Sequence, residues 1–238
     1  MIRLPLLDPA TPQCFPDPHD ALREPNGLLA FGGDLSPARL LAAYGQGIFP
    51  WYGEGEPILW WSPDPRCVFR TDALRINRSL RRQLRGKTWR VSVDSAFEAV
   101  IRACAAPREV HGGTWIVPEM IAAYVALHRL GHAHSVEVWD GARLAGGLYG
   151  VAVGQLFCGE SMFSAESGGS KLALVSLAAL LRSWGWPLID AQVANAHTLG
   201  LGAEEVPRAD YLRETARLTA LPSHIGSWAA AQLPPLLR

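Results

Sequence analysis

The 238 residues are 49% hydrophobic and 18% charged, which describes a globular protein with ample apolar material for a core. The 22 basic side chains balance the 22 acidic ones, so the overall charge gives no reason to expect a polyanionic partner. The four cysteines are widely spaced and form no CxxC pair, which argues against a disulfide framework or a zinc site and favours a reducing cytoplasm.

The first 63 residues are rich in Pro, Gly and Trp and predict a small N-terminal domain with one clear helix. Ser36 is a suitable N-cap, Pro37 fits the first helical turn, and Gly45 or Gly47 ends the helix. The apolar start of the chain is broken at once by proline and aspartate, so we expect no signal peptide. The proline-rich WWSPDPR is expected to join this domain to a larger one at 64–238.

Basic side chains are concentrated just after this join. Residues 66–90 hold nine of them against one acid, Asp72, which is a net charge of +8, while the rest of the chain carries −8. A predicted helix at 77–85 gathers part of this charge on one face. A solvated face usually alternates signs, so this one favours binding of an anion or a nucleic acid. The candidates for phosphate contacts are Arg75, Arg78, Arg81, Arg82, Arg85 and Lys87.

The remaining pattern predicts both helices and strands. Asp94 is expected to cap one helix, Pro118 to open another, and Ser170 to cap an apolar helix that is too short to cross a membrane. The expected elements after the basic helix lie at 89–93, 94–104, 118–131, 135–139, 143–153, 155–163, 171–184, 187–193, 195–199 and 207–218. They indicate a mixed α/β (α+β) fold, and the tail that ends in PPLLR is expected to be loose.

The segment LIDAQ (188–192) is the most informative for chemistry. As a strand, its period of two places Asp190 and Gln192 on one face, opposite Ile189. A carboxylate and an amide at the polar end of a strand can orient an amine and polarise a carbonyl. Two polar residues that face solvent or cap a neighbouring helix are the simpler alternative. Glu160 is a second candidate, with a surface carboxylate as its alternative.

Several large apolar side chains recur beside Gly and Pro in expected loops. Each is suited to core packing, and together they also fit a pocket for an apolar group. They are Trp51, Trp60, Trp61, Trp115, Phe157, Met162 and Phe163. The histidines show no metal-ligand spacing, so we expect no metal. The segment GESMFS lacks the GxSxG spacing of a serine nucleophile elbow.

Together these segments resemble one family, the bacterial leucyl/phenylalanyl-tRNA–protein transferases. The shared motifs run in family order from about residue 15 to residue 212, and the long ones are very specific. They are REPNGLLAFGGDLSPARLL, GIFPW, PILWWSPDPR, GTWI, LGHAHSVEVW, GGLYGV, LFCGESMFS, LIDAQ and DYL.

The resemblance implies an aminoacyltransferase that needs no metal or organic cofactor and no membrane. It would transfer Leu or Phe, and less readily Met, from Leu-tRNA, Phe-tRNA or Met-tRNA to a protein with an N-terminal Arg or Lys. The product would be a degradation signal. The implied fold is a small N-terminal domain (1–63) followed by a domain (64–238) like the GNAT acyltransferases, with a mixed, mostly antiparallel sheet.

The resemblance also implies roles for particular residues. Asp190 and Gln192 match the catalytic pair, Glu160 a companion polar group, and Tyr44 a contact of the aminoacyl-adenosine. The side-chain pocket matches Trp51, Trp115, Leu148, Phe157, Met162 and Ile189. This sequence departs from the family pattern at Ala191, where Cys is frequent, and at Leu148, where Met is common.

Two other functions fit parts of the sequence. A non-catalytic aminoacyl-tRNA or nucleic-acid binding protein would use the basic stretch at 66–90 and leave Asp190 idle. An acyl-CoA-dependent N-acetyltransferase on a similar fold would need a Q/RxxGxG/A pyrophosphate cradle at a helix start, and the sequence has none in a suitable place.

Overall fold

A computed structural model describes residues 4–74, 78–106 and 115–234. Within these ranges the chain forms a small and a large β-sheet, and one hydrophobic cluster contains side chains from both. No helix in these ranges is long and apolar enough to span a membrane.

The smaller sheet and one helix come from the first sixty residues. As predicted, Ser36 caps the helix, since its side chain accepts a hydrogen bond from the backbone N–H of Arg39, and Pro37 stands at the first helical position. The elements are β1 (Leu6–Leu7), β2 (Leu28–Gly32), α1 (Pro37–Gly45), β3 (Phe49–Pro50) and β4 (Leu59–Trp61). The strand order is β1-β2-β4-β3.

The larger sheet contains seven strands. They are β5 (Arg66–Arg70), β6 (Arg90–Val93), β7 (Ala133–Asp140), β8 (Arg143–Val153), β9 (Leu156–Ser164), β10 (Leu188–Gln192) and β11 (Glu204–Val206). The helices between and after them are α2 (Arg78–Gln83), α3 (Phe97–Ala105), α4 (Pro118–Arg129), α5 (Gly169–Ser183), α6 (Ala196–Gly200) and α7 (Arg208–Thr219). The strand order is β11-β5-β10-β9-β8-β7-β6.

All neighbouring strands of the larger sheet are antiparallel except β9 and β10, which are parallel. This arrangement confirms the prediction of a mixed, mostly antiparallel sheet in an α/β chain. The parallel pairing extends only from Leu156 and Leu188 to Cys158 and Asp190. Beyond these residues the two strands are no longer paired, which places a gap in the middle of the sheet.

The two faces of the larger sheet carry different helices. The apolar helix α5 packs on one face against β7, β8 and β9, and α3 and α4 pack on the other face. Neighbouring side chains of β8 show the two environments, because Leu148 belongs to the cluster with α5 and Tyr149 to the cluster with α3 and α4. Helix α1 packs on the same side as α3 and α4, so the smaller sheet lies against that face.

The prediction that Asp94 caps α3 is wrong. Asp94 adopts a positive φ of 53°, and its carboxylate accepts hydrogen bonds from the backbone N–H groups of Ser135 and Trp228. The N-terminal end of α3 is instead satisfied by Glu137 on β7, which accepts from the N–H of Ala96. A carboxylate distant in sequence has taken the capping role that the local pattern assigned to Asp94.

The prediction of a loose tail is wrong for the described part of it. Trp228 is only 4% exposed, and its ring stacks on His134 at a centroid distance of 3.5 Å. It packs in the same hydrophobic cluster as α5, which is buried over most of its length. Residues 235–238 lie outside the described ranges.

The strands β5 and β11 were not anticipated from the sequence. Both are short, and each gains its hydrogen bonds from a partner far away in the chain, since β5 lies between β10 and β11. The smaller sheet ends at Trp61 and the larger begins at Arg66. The division of the chain into domains at residues 63 and 64 stays a prediction.

Candidate active site

A cavity of about 860 Å³ lies where β9 and β10 separate. Five of the six predicted pocket residues line it, namely Trp115, Leu148, Phe157, Met162 and Ile189. Its volume is within the range of ordinary ligand pockets, which are apolar clefts with a few polar groups. The cavity therefore has room for an apolar side chain and for part of the molecule that carries it.

Trp51, the sixth predicted pocket residue, does not line this cavity. It is 44% exposed and lies beside the smaller sheet, with its ring 5.7 Å from the ring of Trp61. Its backbone carbonyl accepts a hydrogen bond from the indole N–H of Trp61.

Glu160 is the main polar group of the cavity wall. Its carboxylate accepts hydrogen bonds from the Tyr44 hydroxyl at 2.7 Å, from the Tyr124 hydroxyl at 2.9 Å and from Nε2 of Gln192 at 2.7 Å. The two tyrosine hydroxyls also contact each other. Tyr44, predicted to lie near an aminoacyl-adenosine, is buried, does not line the cavity, and holds Glu160 through its hydroxyl group.

Burial raises the pKa of Glu160 to about 7, against the lowering effect of its three hydrogen-bond donors. The hydrogen-bond contacts of Glu160 favour the same direction of the pKa shift. Glu160, Tyr44 and Tyr124 make three mutual contacts, and two hydroxyl protons serve only two of them when Glu160 is ionised. A proton on Glu160 supplies the third, so this carboxyl group is poised to change charge near neutral pH.

Asp190 lines the cavity, but its carboxylate is not an exposed polar face, which corrects the expectation from strand periodicity. Its side chain is 0% exposed and is paired with Arg66, which is 1% exposed. Arg66 donates from Nε at 2.8 Å and from Nη2 at 2.6 Å. The Tyr211 hydroxyl donates at 2.8 Å, and the backbone N–H of Gln192 donates at 2.9 Å. Two donors thus converge on each oxygen of Asp190.

Gln192 connects the two carboxylates. Its backbone N–H is bound to Asp190, while its side-chain Nε2 is bound to Glu160. The residue follows an irregularity in β10 and has a φ of 62°, a left-handed conformation that is costly without glycine. Its side-chain oxygen Oε1 accepts no hydrogen bond from the described residues. Gln192 does not itself line the cavity, but it contacts Glu160, which does, and it carries a held amide with a free acceptor.

The connected set formed by Tyr44, Arg66, Tyr124, Glu160, Asp190, Gln192 and Tyr211 is called the polar centre below. Sequence analysis identified Glu160, Asp190 and Gln192 as its chemical candidates. It counted Arg66 with the exposed basic residues and missed Tyr124 and Tyr211. The one available signal for Arg66 is the apolar run CVF that follows it, which is typical of a buried strand.

The basic segment, defined as residues 78–87, has exposed basic side chains and one buried residue, Leu80. Arg78, Arg81, Arg82 and Arg85 make no ion pair with any residue that the structure describes. Lys87 is different, because its Nζ lies 2.6 Å from the carboxylate of Glu166. Arg75, the remaining candidate for a phosphate contact, lies outside the described residues.

The basic segment borders one end of the cavity. Ser164, Ala165 and Ser170 line the cavity, and the loop between them approaches α2. A β-carbon at Gly168 in this loop would lie 3.3 Å from Oε1 of Gln83. The ion pair between Lys87 and Glu166 fixes the same contact. The basic segment therefore lies against a loop whose two ends line the cavity.

Within the described ranges, no group of three or more His, Cys, Asp and Glu side chains is arranged to hold a metal ion.

The sequence matches known proteins over most of its length. The model of a family described as leucyl/phenylalanyl-tRNA protein transferase matches residues 68–216, and that of its N-terminal domain matches residues 33–64. A leucyl/phenylalanyl-tRNA–protein transferase from Xanthomonas euvesicatoria pv. vesicatoria (strain 85-10) is 65% identical, with 91% of this chain and 87% of the relative covered. One from Xylella fastidiosa (strain M12) is 59% identical, with 92% and 91% covered.

Similarity to solved structures is much weaker. The structure of L-PGS from Bacillus licheniformis is 10% identical, with a TM-score of 0.41 over 71% of this chain and 56% of that one.

Proposed function

The chain belongs to the leucyl/phenylalanyl-tRNA protein transferase family, and from this premise we propose how its polar centre and basic segment serve aminoacyl transfer. It is an aminoacyltransferase whose substrates are an aminoacyl-tRNA and the N-terminus of a protein. The preferred donors are Leu-tRNA and Phe-tRNA, with Met-tRNA used less readily. The acceptors are proteins with N-terminal Arg or Lys, the product is a degradation signal, and the reaction takes place in the cytoplasm.

The reaction needs little covalent assistance. The α-amine of the acceptor attacks the ester carbonyl carbon, a C–N bond forms, and the C–O bond to the 3′-oxygen of the terminal ribose breaks. The proton lost by the amine balances the proton gained by that oxygen. Because an α-amine with a pKa near 8 is partly neutral at pH 7, positioning supplies a large part of the rate.

Gln192 is the group proposed to position the amine. Its Oε1 is free to accept a hydrogen bond from the attacking N–H, since its Nε2 is held by Glu160. The single observation that carries this proposal is that held amide with a free acceptor. Ionised Glu160 accepts a hydrogen bond from Nε2 and so leaves the amide oxygen of Gln192 as the group that accepts from the amine.

Asp190 serves the reaction through Gln192 and not by direct contact with the amine. Its two oxygens already accept four hydrogen bonds, which leaves no acceptor site for a substrate. Asp190 therefore influences the reaction through the hydrogen bond that it accepts from the backbone N–H of Gln192.

The cavity is proposed to hold the side chain of the transferred amino acid. Leu148, Phe157, Met162 and Ile189 supply apolar walls, and Trp115 lies at the side formed by α3 and α4. The exposed arginines of the basic segment are proposed to bind phosphates of the tRNA acceptor stem. Such contacts give affinity without sequence selection, so the choice of substrate depends on the amino acid in the cavity.

The experiment that tests the function incubates the protein with labelled Leu-tRNA and a peptide that begins with Arg. We expect label to appear on the peptide, and none on a matched peptide whose α-amine is acetylated. Binding of Leu-tRNA without transfer would support the non-catalytic alternative. Labelling of the peptide from acyl-CoA instead of Leu-tRNA would support the acetyltransferase alternative.

A further inference from the structure

Arg66 connects the smaller sheet with the polar centre. Its Nη1 donates to the backbone carbonyl of Gly47 at 2.9 Å, in the turn that links α1 to β3. Its Nε and Nη2 donate to the two oxygens of Asp190 at 2.8 and 2.6 Å. One guanidinium thus binds both a backbone carbonyl of the first sixty residues and a carboxylate of the larger sheet.

Packing fixes the plane of this guanidinium. Its central carbon lies 4.8 Å from the ring centre of Phe49 and 4.5 Å from that of Tyr211. Gly47 makes this approach feasible, because a β-carbon there would lie 2.6 Å from Leu212 and 2.9 Å from Tyr211. Arg66 is therefore held on all sides, and its fork determines where the Asp190 carboxylate lies.

The position of Asp190 in turn affects the backbone of Gln192. The same oxygen that accepts from Arg66 Nε also accepts the N–H of Gln192, at 2.9 Å. Gln192 has a left-handed φ of 62°, which a non-glycine residue keeps only where its surroundings impose it. A shift of the carboxylate would release this hydrogen bond and let the amide of Gln192 turn away from Glu160.

We propose that Arg66 is a positioning residue for aminoacyl transfer, which acts through Asp190 to hold Gln192 in its reactive orientation. This inference rests on the proposed function of Gln192. It predicts that Arg66 affects the rate only while Gln192 is present. A lysine cannot replace it, because an ammonium group keeps the charge and loses the planar two-pronged contact with the carboxylate.

The test compares single-turnover transfer of Leu from Leu-tRNA to an Arg-peptide, at saturating peptide, by Arg66→Lys, Gln192→Ala and the double variant. A displacement of about 1 Å in a positioned group costs roughly 10²-fold in rate, and we expect a loss of this order for Arg66→Lys. The KM for Leu-tRNA should stay near the wild-type value, and the double variant should be no slower than Gln192→Ala. Arg70→Lys, on the same strand but paired with Glu204 and Glu214 near the surface, is the control and should keep the wild-type rate.

Two results would overturn the role of Arg66: a folded Arg66→Lys protein with the wild-type rate, or a double variant slower by the product of the two single losses. If Arg66→Lys does not fold, Tyr211→Phe takes its place, because it removes one donor to Asp190 and keeps the ring over Arg66. A wild-type rate for Tyr211→Phe would then overturn the inference. A wild-type rate for Gln192→Ala alone would instead remove the proposed function of Gln192.

Discussion

The polar centre and the basic segment both carry charge, but the charged groups are buried in the polar centre and exposed in the basic segment. In the polar centre, Arg66 and Asp190 are withdrawn from water and joined by a two-pronged ion pair. In the basic segment, the guanidinium groups of Arg78, Arg81 and Arg82 are exposed to solvent. A buried charge is costly unless its partner is present, whereas an exposed one is nearly neutral for stability.

This difference separates two tasks of the enzyme. The buried Arg66, Glu160 and Asp190 of the polar centre should affect the chemical step and the stability of the fold together, with little dependence on salt. Groups in the basic segment should affect tRNA affinity alone, with a strong dependence on salt.

The largest effect is expected for Asp190→Ala. It releases Gln192 and leaves Arg66 buried without a counter-charge, so turnover should fall roughly 10²–10⁴-fold and the free energy of unfolding by about 3–5 kcal/mol. Transfer assays and urea denaturation measure the two losses. Asp72→Ala, which removes an exposed carboxylate, is the control. An Asp190→Ala protein with wild-type stability would show that the pair does not hold the fold.

Glu160 should make both activity and stability depend on pH near 7. Burial raises its pKa from the ordinary 4.5 to about 7, so between these values the folded protein binds one more proton than the unfolded chain. The resulting stability, roughly 3 kcal/mol, is fully present below pH 4.5 and is lost as the pH rises through 7. Activity should change in the opposite sense, because ionised Glu160 holds Gln192.

Glu160→Gln is the variant that checks this pH dependence. Denaturation of both proteins at several pH values from 4 to 8 should show the wild type losing stability relative to the variant as the pH rises. The same slope in both proteins would contradict the assignment of the pKa near 7 to Glu160.

The cavity should discriminate between aliphatic side chains by shape. Phe157, Met162 and the neighbouring walls should accept Leu and crowd the β-branched Ile and Val, which is worth about 1–3 kcal/mol in kcat/KM. Competing Leu-tRNA and Ile-tRNA in one reaction measures the ratio directly. Equal use of the two would show that the cavity does not select the amino acid.

The smallest effect on the protein itself is expected in the basic segment. Replacing Arg81 and Arg85 with Ala should leave stability unchanged and reduce the slope of log affinity for tRNA against log salt by roughly 0.7–0.9 per contact. Arg213→Ala, which removes an exposed arginine paired with Asp210 on α7, is the control. An unchanged salt slope would show that the basic segment is an ordinary solvated surface that does not bind phosphates.

Local signals in the sequence predicted most elements, but the prediction that Ser170 caps α5 is wrong, because Ser170 lies inside this helix and Gly168 is its N-cap. Ser36 and Pro37 mark the start of α1, Pro118 opens α4, and the DG turn marks the hairpin of β7 and β8. These features depend on residues close together in the chain. All six predicted pocket residues came from motif resemblance, since each stands inside a shared motif, and all of them except Trp51 line the cavity.

The polar centre could not be predicted from such signals. Arg66 and Asp190 are separated by 124 positions, and period two alone cannot say whether Asp190 meets water or a buried guanidinium. The irregularity after Asp190 also turns Gln192 away from simple strand alternation. Only the packing of α1, α4, α7, β5, β9 and β10 brings the polar centre together.

The most direct test of the account is the single-turnover rate of Leu transfer to an Arg-peptide by Gln192→Ala. Its side chain is half-buried and its removal leaves the pair of Arg66 and Asp190 in place, so thermal stability should stay close to that of the wild type. We predict a rate lowered roughly 10²-fold or more, with Leu-tRNA affinity nearly unchanged. A folded Gln192→Ala protein that transfers Leu at the wild-type rate would contradict the claim that this held amide positions the attacking amine.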